Sequence, residues 1–169
     1  NAGMKSIILD IEDPASIAAA AAQVTKDFPG LNVLLNNAGI MRPEQIQKAQ
    51  VADAEAIVTT NLLGPIRMSA ALMPHLLKQP AATIINVSSG LAFVPLAMTP
   101  TYCATKAAIH SYSESLRYQL KSTNIQVVEL APPYVQTELM GSAQAADPRA
   151  MPLKEFLAEV IELIKTKQT

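Results

Sequence analysis

Cys103 is the chain's one cysteine, so neither an intrachain disulfide framework nor a zinc site built on several thiolates can form. A reducing, cytoplasmic setting is the expectation. Charge is also scarce: 16% of residues are charged, and thirteen basic against fourteen acidic side chains leave a net charge of −1. No basic run could neutralise a row of phosphates, so no nucleic-acid partner is expected. Charge vanishes altogether between Lys78 and Lys106. Pro80, Pro95, Pro100 and Gly90 interrupt that stretch, which therefore reads as strand, loop and helix start rather than as a membrane span. Residues 1–5 lack the basic region and apolar stretch of an export signal.

What the chain does have is apolar mass. Half of its 169 residues are hydrophobic, which suits a parallel sheet buried on both faces. The length fits one domain spanning residues 1–169. Residues 5–10 form a short apolar run and read as a strand. Asp13-Pro14 then resembles a cap and first-turn proline, opening an alanine-rich helix to about Phe28. Residues 32–37 give a second buried run. A helix is expected over 54–77, disturbed near Gly64-Pro65. Residues 82–88 make a third strand, a helix runs from about Tyr102 to Lys121, and residues 125–131 make a fourth strand. A polar, proline-bearing loop over 136–152 precedes a last helix near 154–165. Strands alternating with long helices predict an α/β fold with a doubly wound parallel sheet and helices on both faces.

The chemistry concentrates in Tyr102-Cys103-Ala104-Thr105-Lys106. Four residues apart on a helix, the phenol and the ammonium share a face and are separated by about 6 Å along the axis. A phenol of ordinary pKa near ~10 is a poor base at neutral pH, and a nearby cation favours its phenolate. Ser89 falls at the C-terminal end of the third strand, the edge where ligands bind in open α/β sheets. Its hydroxyl can hold the same substrate oxygen. An isolated Tyr and Lys at this spacing more often lie along a helix surface. Here they follow Asn36-Asn37-Ala38-Gly39 after a strand, Thr60-Asn61-Leu62 on a helix and Ser88-Ser89-Gly90 closing the next strand.

In this order and spacing, the elements resemble the short-chain dehydrogenase/reductase family over nearly the whole chain. The stretch 84–106, followed by Leu130-Ala131-Pro132-Pro133, looks most like a bacterial branch of oxidoreductases. The resemblance implies a Rossmann-type fold, NAD or NADP as cofactor, and hydride exchange with a small carbonyl or alcohol substrate. It implies Tyr102 as catalytic acid/base, Ser89 orienting the substrate oxygen, Lys106 holding the nicotinamide ribose and lowering the tyrosine pKa, and Asn61 supporting a relay water. For the cofactor it implies Asp10 near the adenine, Asn37 beside the adenosine ribose with Ala38 and Gly39 as further cofactor-binding positions, and Val135 and Thr137 at the carboxamide. A homodimer or homotetramer built through the helices at 61–77 and 102–121 is implied as well.

Residue by residue, plainer roles stand beside these. Asp10 also suits a turn cap, and Asn37-Ala38-Gly39 also suits a purely structural turn. Thr137 also fits an ordinary loop hydroxyl. His75 and His110 are not at zinc spacing and read as packed or surface residues, and Cys103 reads as packing; no metal is expected.

The chain departs from the family in two ways. Gly3, Gly30, Gly39, Gly64, Gly90 and Gly141 are too far apart to form a glycine-rich phosphate loop. Residues 5–10 correspond to the family's third strand, so the first two strands and the last strand are expected to be absent. The sequence is then part of a longer enzyme, with strand three lacking its neighbour and strand four exposing an edge. Pro133 stands where the family has glycine, removing an N–H near the nicotinamide. Two other functions remain open: a scaffold-keeping binding or regulatory protein, favoured by the missing loop, and nucleotide-sugar epimerisation or dehydration, for which the segment after Thr137 is short.

Overall fold

Val33–Asn36 (β1), Ala82–Val87 (β2) and Ile125–Leu130 (β3) hydrogen-bond in parallel in the order β1-β2-β3. Their register sets Leu34 beside Ile84 and Ile84 beside Val127, so successive apolar side chains line up across one face. This is a computed structural model, and it describes residues 3–48 and 51–166. The helices are α1 (Pro14–Asp27), α2 (Val51–Val58), α3 (Gly64–Leu76), α4 (Pro100–Leu120), α5 (Ser142–Ala145) and α6 (Leu153–Thr166). Asp13 caps α1 by accepting from the backbone N–H groups of Ala15 and Ser16 at 2.9 and 3.2 Å. Such a cap contributes ~1 kcal/mol.

The helix expected over 54–77 is broken by a π-helical turn at Thr59–Leu63, one step ahead of Gly64-Pro65. Gly64 is required there by proximity: a Cβ would lie 2.6 Å from Ile11 Cγ1. By length and composition, the continuous run Val51–Leu76 is also apolar enough to cross a bilayer. In this fold its apolar side chains Met68, Leu72 and Leu76 instead join Ile17, Leu34, Ile84, Leu116 and Val127 in the main core. α1, α3 and α4 therefore pack on the same face of the sheet. Within that face, Asn36 Nδ2 donates to Asn86 Oδ1 at 2.8 Å and to Ser69 Oγ at 3.1 Å, and Asn86 Nδ2 donates to Ser113 Oγ at 3.0 Å. The buried amides are satisfied, which is the condition for placing them in a core.

One expectation needs correction. Residues 5–10 are not a strand: residues 4–10 have no regular structure, and Ile8 is 98% exposed. A strand exists only by pairing its backbone with a neighbour, and this run makes no ladder with β1. Apolar composition alone cannot supply that partner. On the opposite side of β1, Val33 and Leu35 are 48% and 54% exposed, and no residue of α6 is buried.

Candidate active site

All three strands point their C-terminal ends at one cavity of about 1360 Å³. Asn37 and Gly39 enter it after β1, Ser88, Ser89 and Gly90 after β2, and Pro132, Pro133, Val135 and Thr137 after β3. Tyr102 and Lys106 reach it from the first turns of α4. The exits of β2 and β3 are tied together, since Gly90 N donates to Pro132 O at 3.0 Å. Pro133, which has no N–H to give, sits exposed on the cavity wall.

α4 opens with Pro100, and the N-cap Thr99 makes no side-chain cap. Its exposed N–H groups are met from another loop: Glu44 accepts from Thr101 N at 2.9 Å and from Thr101 Oγ1 at 2.6 Å. A carboxylate at a helix N-terminus also complements the helix dipole. The turn carrying Tyr102 is thereby fixed. Tyr102 is 5% exposed, and its phenol shares a hydrogen bond with Ser89. Ser89 Oγ also accepts from Leu91 N at 3.1 Å, which fixes its rotamer over the following turn.

The electrostatics differ from expectation. Burial pushes the Tyr102 phenol above its ordinary value, and the hydrogen bond from Ser89 only partly offsets this. Lys106 is not among the causes acting on the phenol, although its ammonium lies 5.6 Å from the ring centroid. Lys106 is itself lowered to about 8 by burial. Its Nζ donates to Val87 O at 2.8 Å, leaving two of its three N–H donors for other partners. The resting pair is therefore a neutral phenol beside an ammonium that titrates near physiological pH.

Asn61 is wholly buried on the π-helical turn. Its Oδ1 accepts from Ile40 N and its Nδ2 donates to Ile40 O, both at 2.8 Å. The side chain clamps the loop after β1, and its Nδ2 also reaches Thr105 Oγ1 at 3.4 Å. Behind Ser89, the buried Ser88 hydroxyl donates to Glu129 Oε1 at 2.5 Å, while Glu129 Oε2 pairs with His110 Nδ1 at 2.8 Å. Neither Glu44 nor Glu129 was legible as a site residue, because each acts across a distance in sequence. Glu114 completes a group of ligand atoms within 4.8 Å of one another with His110 and Glu129. Glu114 pairs with Arg117, and the His110 ring meets Phe93 edge-on, so these side chains already have partners.

The remaining expected residues separate. Asp10 does not line the cavity; its Oδ1 accepts from Glu12 N at 2.9 Å, which is turn capping. Ala38 is exposed between two lining residues. Val135 is buried and bridges to Met151, and its carbonyl accepts from Gln144 Nε2 at 2.9 Å. The same Nε2 donates to Thr137 Oγ1 at 3.1 Å. His75 bonds Leu31 O, and Cys103 packs with Ile57 and Tyr102.

Compared with known proteins, residues 2–148 match the family described as short chain dehydrogenase. The chain belongs to this family. It is 47% identical over 133 residues to the uncharacterized oxidoreductase DltE of Bacillus subtilis, an alignment covering 77% of the chain and 52% of that protein. The chain spans about half the length of the curated relatives it matches first. A short chain dehydrogenase from Burkholderia cenocepacia, solved in complex with NADP, superimposes with a TM-score of 0.81 at 27% identity, over 94% of this chain and 64% of that one. The Thermoplasma acidophilum aldohexose dehydrogenase, at 21% identity, shares the fold with a TM-score of 0.85 over 95% of this chain and 71% of its own. The chain therefore has the Rossmann-type α/β architecture of its family.

Proposed function

We propose that the chain carries the catalytic half of an oxidoreductase that uses NAD or NADP to interconvert a carbonyl and an alcohol. One observation carries the reading: Tyr102, Ser89 and Lys106 line one cavity, with the Lys106 ammonium 5.6 Å from the Tyr102 ring centroid. The residues present suit the nicotinamide end of the cofactor. A Cβ on Gly39 would lie 3.4 Å from Asn61 Oδ1 and 3.8 Å from Lys106 Nζ, so the bare glycine leaves a cradle beside an ammonium with donors to spare. Lys106 and Tyr102 would hold the ribose, with Asn37, Val135 and Thr137 along the same wall. Nothing in the 169 residues supplies a glycine-rich loop for the pyrophosphate. Bound there, a nicotinamide exchanges two electrons and one hydrogen with the carbon of the substrate C–O group.

This chain's residues manage the oxygen. Ser89 Oγ orients it. In the reducing direction the Tyr102 phenol donates its proton to the oxygen, and the Lys106 ammonium neutralises the phenolate left behind. The raised phenol pKa and the Lys106 value of about 8 mean that both groups hold their protons at neutral pH, the state that reduction requires. Asn61 positions the loop carrying Gly39 through Ile40. A small, neutral carbonyl or alcohol compound is the partner, a reducing cytoplasm suits the single buried thiol, and assembly runs through the α2–α3 and α4 helices of two or four copies.

The test is Tyr102→Phe in the full-length protein, followed by nicotinamide absorbance with a panel of aldehydes, ketones and alcohols. Loss of the proton donor should lower kcat/KM by about 10²–10⁴. Unchanged turnover would overturn the mechanism. Nicotinamide binding with no reaction on any substrate would instead select a binding protein without turnover.

A further inference from the structure

We infer that the cavity in front of Tyr102 takes a neutral ketone or secondary alcohol bearing a hydrocarbon substituent, an inference that rests on the oxidoreductase reading and narrows its substrate. Polar groups able to hold the reacting oxygen converge on Tyr102 and Ser89, which line the cavity together. Most of the remaining lining is apolar. Leu91, Leu96 and Met98 come from the segment after β2, and Leu139, Met140 and Phe156 from the segment after β3 and the start of α6. Leu96, Met98 and Leu139 are 39%, 46% and 38% exposed. They hold apolar surface in a recess where a hydrocarbon would remove it from water.

The charges around the cavity argue against an anionic substrate. Arg149 is locked on Asp147, donating from Nε at 3.0 Å and from Nη2 at 2.8 Å. Lys106 is turned to Val87 O at the reacting end, and Glu138 on the rim repels a carboxylate. A polyhydroxylated substrate fares no better, because hydroxyls laid against leucine and methionine lose their water partners without replacement. Met41, Met98 and Met140 add a further property. Unbranched thioether side chains repack around differently shaped apolar groups, so selection should fall on length and polarity rather than on outline.

The experiment uses the full-length protein with NADH and with NADPH, and a series of methyl alkyl ketones lengthened one methylene at a time. Acetoacetate and dihydroxyacetone serve as the charged and polyhydroxylated comparisons. Each added methylene should raise kcat/KM by about fourfold until the wall is met, with both comparison substrates poorer than the medium-length ketones. A flat length profile, or preference for either comparison substrate, overturns the inference while leaving the oxidoreductase reading intact. Absence of turnover on every substrate overturns that reading, and titration calorimetry with the matching secondary alcohols then decides the cavity separately. About fourfold tighter binding per methylene supports an apolar site, and length-independent binding overturns it. Met98→Asp should flatten the length dependence, and an unchanged slope would place the hydrocarbon elsewhere and also overturn the assignment.

Discussion

The two faces of the sheet are built by the same strands and meet opposite fates. On one, Leu34, Ile84 and Val127 lie beneath α1, α3 and α4, with Ile84 fully buried. On the other, Val33 and Leu35, one residue away along β1, stand half in water. Alternation along a strand guarantees that such neighbours face opposite ways, but what covers each face is decided by segments remote in sequence. Fold stability belongs to the covered face. The cavity lies at the strand ends, where Ser89 and α4 are held by bonds to that same body.

Three measurements test this contrast. The largest effect is expected from Ile84→Ala, which leaves a void under three helices and should lower stability by ~2–5 kcal/mol in denaturant unfolding. A loss below 1 kcal/mol would mean the face is looser than described. Next comes Lys106, buried where the covered face meets the cavity. Its folded value of about 8 lies below the ordinary lysine value, so between pH 8 and 10.5 the unfolded chain binds more protons and stability rises with pH. Relative to Lys106→Met, which cannot titrate, the wild type should gain roughly 2–3 kcal/mol from pH 8 to pH 10. The measurement stops there because Tyr102, whose value is raised by burial, acts with the opposite sign at higher pH. A parallel pH dependence in the two proteins would show that the ammonium is solvated. The smallest effect is expected from Leu35→Ser on the open face, within about 0.5 kcal/mol. A loss above 1 kcal/mol would show that something covers Leu35 in solution.

Much of this architecture was legible in advance where the information was local. Dense β-branched runs marked β2 and β3, Asp13-Pro14 marked the start of α1, and the Tyr102–Lys106 spacing with Ser89 upstream located one end of the cavity. What escaped depended on partners. Residues 5–10 have strand composition but nothing to pair with. Glu44 and Glu129 look like ordinary surface carboxylates until folding brings them to Thr101 and Ser88. The Tyr102 pKa is hidden for the same reason: a lysine four residues away is visible in sequence, whereas the burial that dominates the phenol is not. The apolar walls from Leu91 to Met98 and at Leu139 had a readable signal, an uncharged and leucine-rich loop segment, but no motif drew attention to it.

The wide turn at Thr59–Leu63 makes the helix around it tell two different angular stories. Upstream and downstream residues count 100° per step, while the turn between them counts less, so α2 and α3 are out of phase with an uninterrupted α-helix. Deleting one residue there would not so much shorten the rod as re-index it. Asn61 would swing away from Ile40, and the strand-end loop would lose its anchor although every amino acid that touches it remained in the sequence.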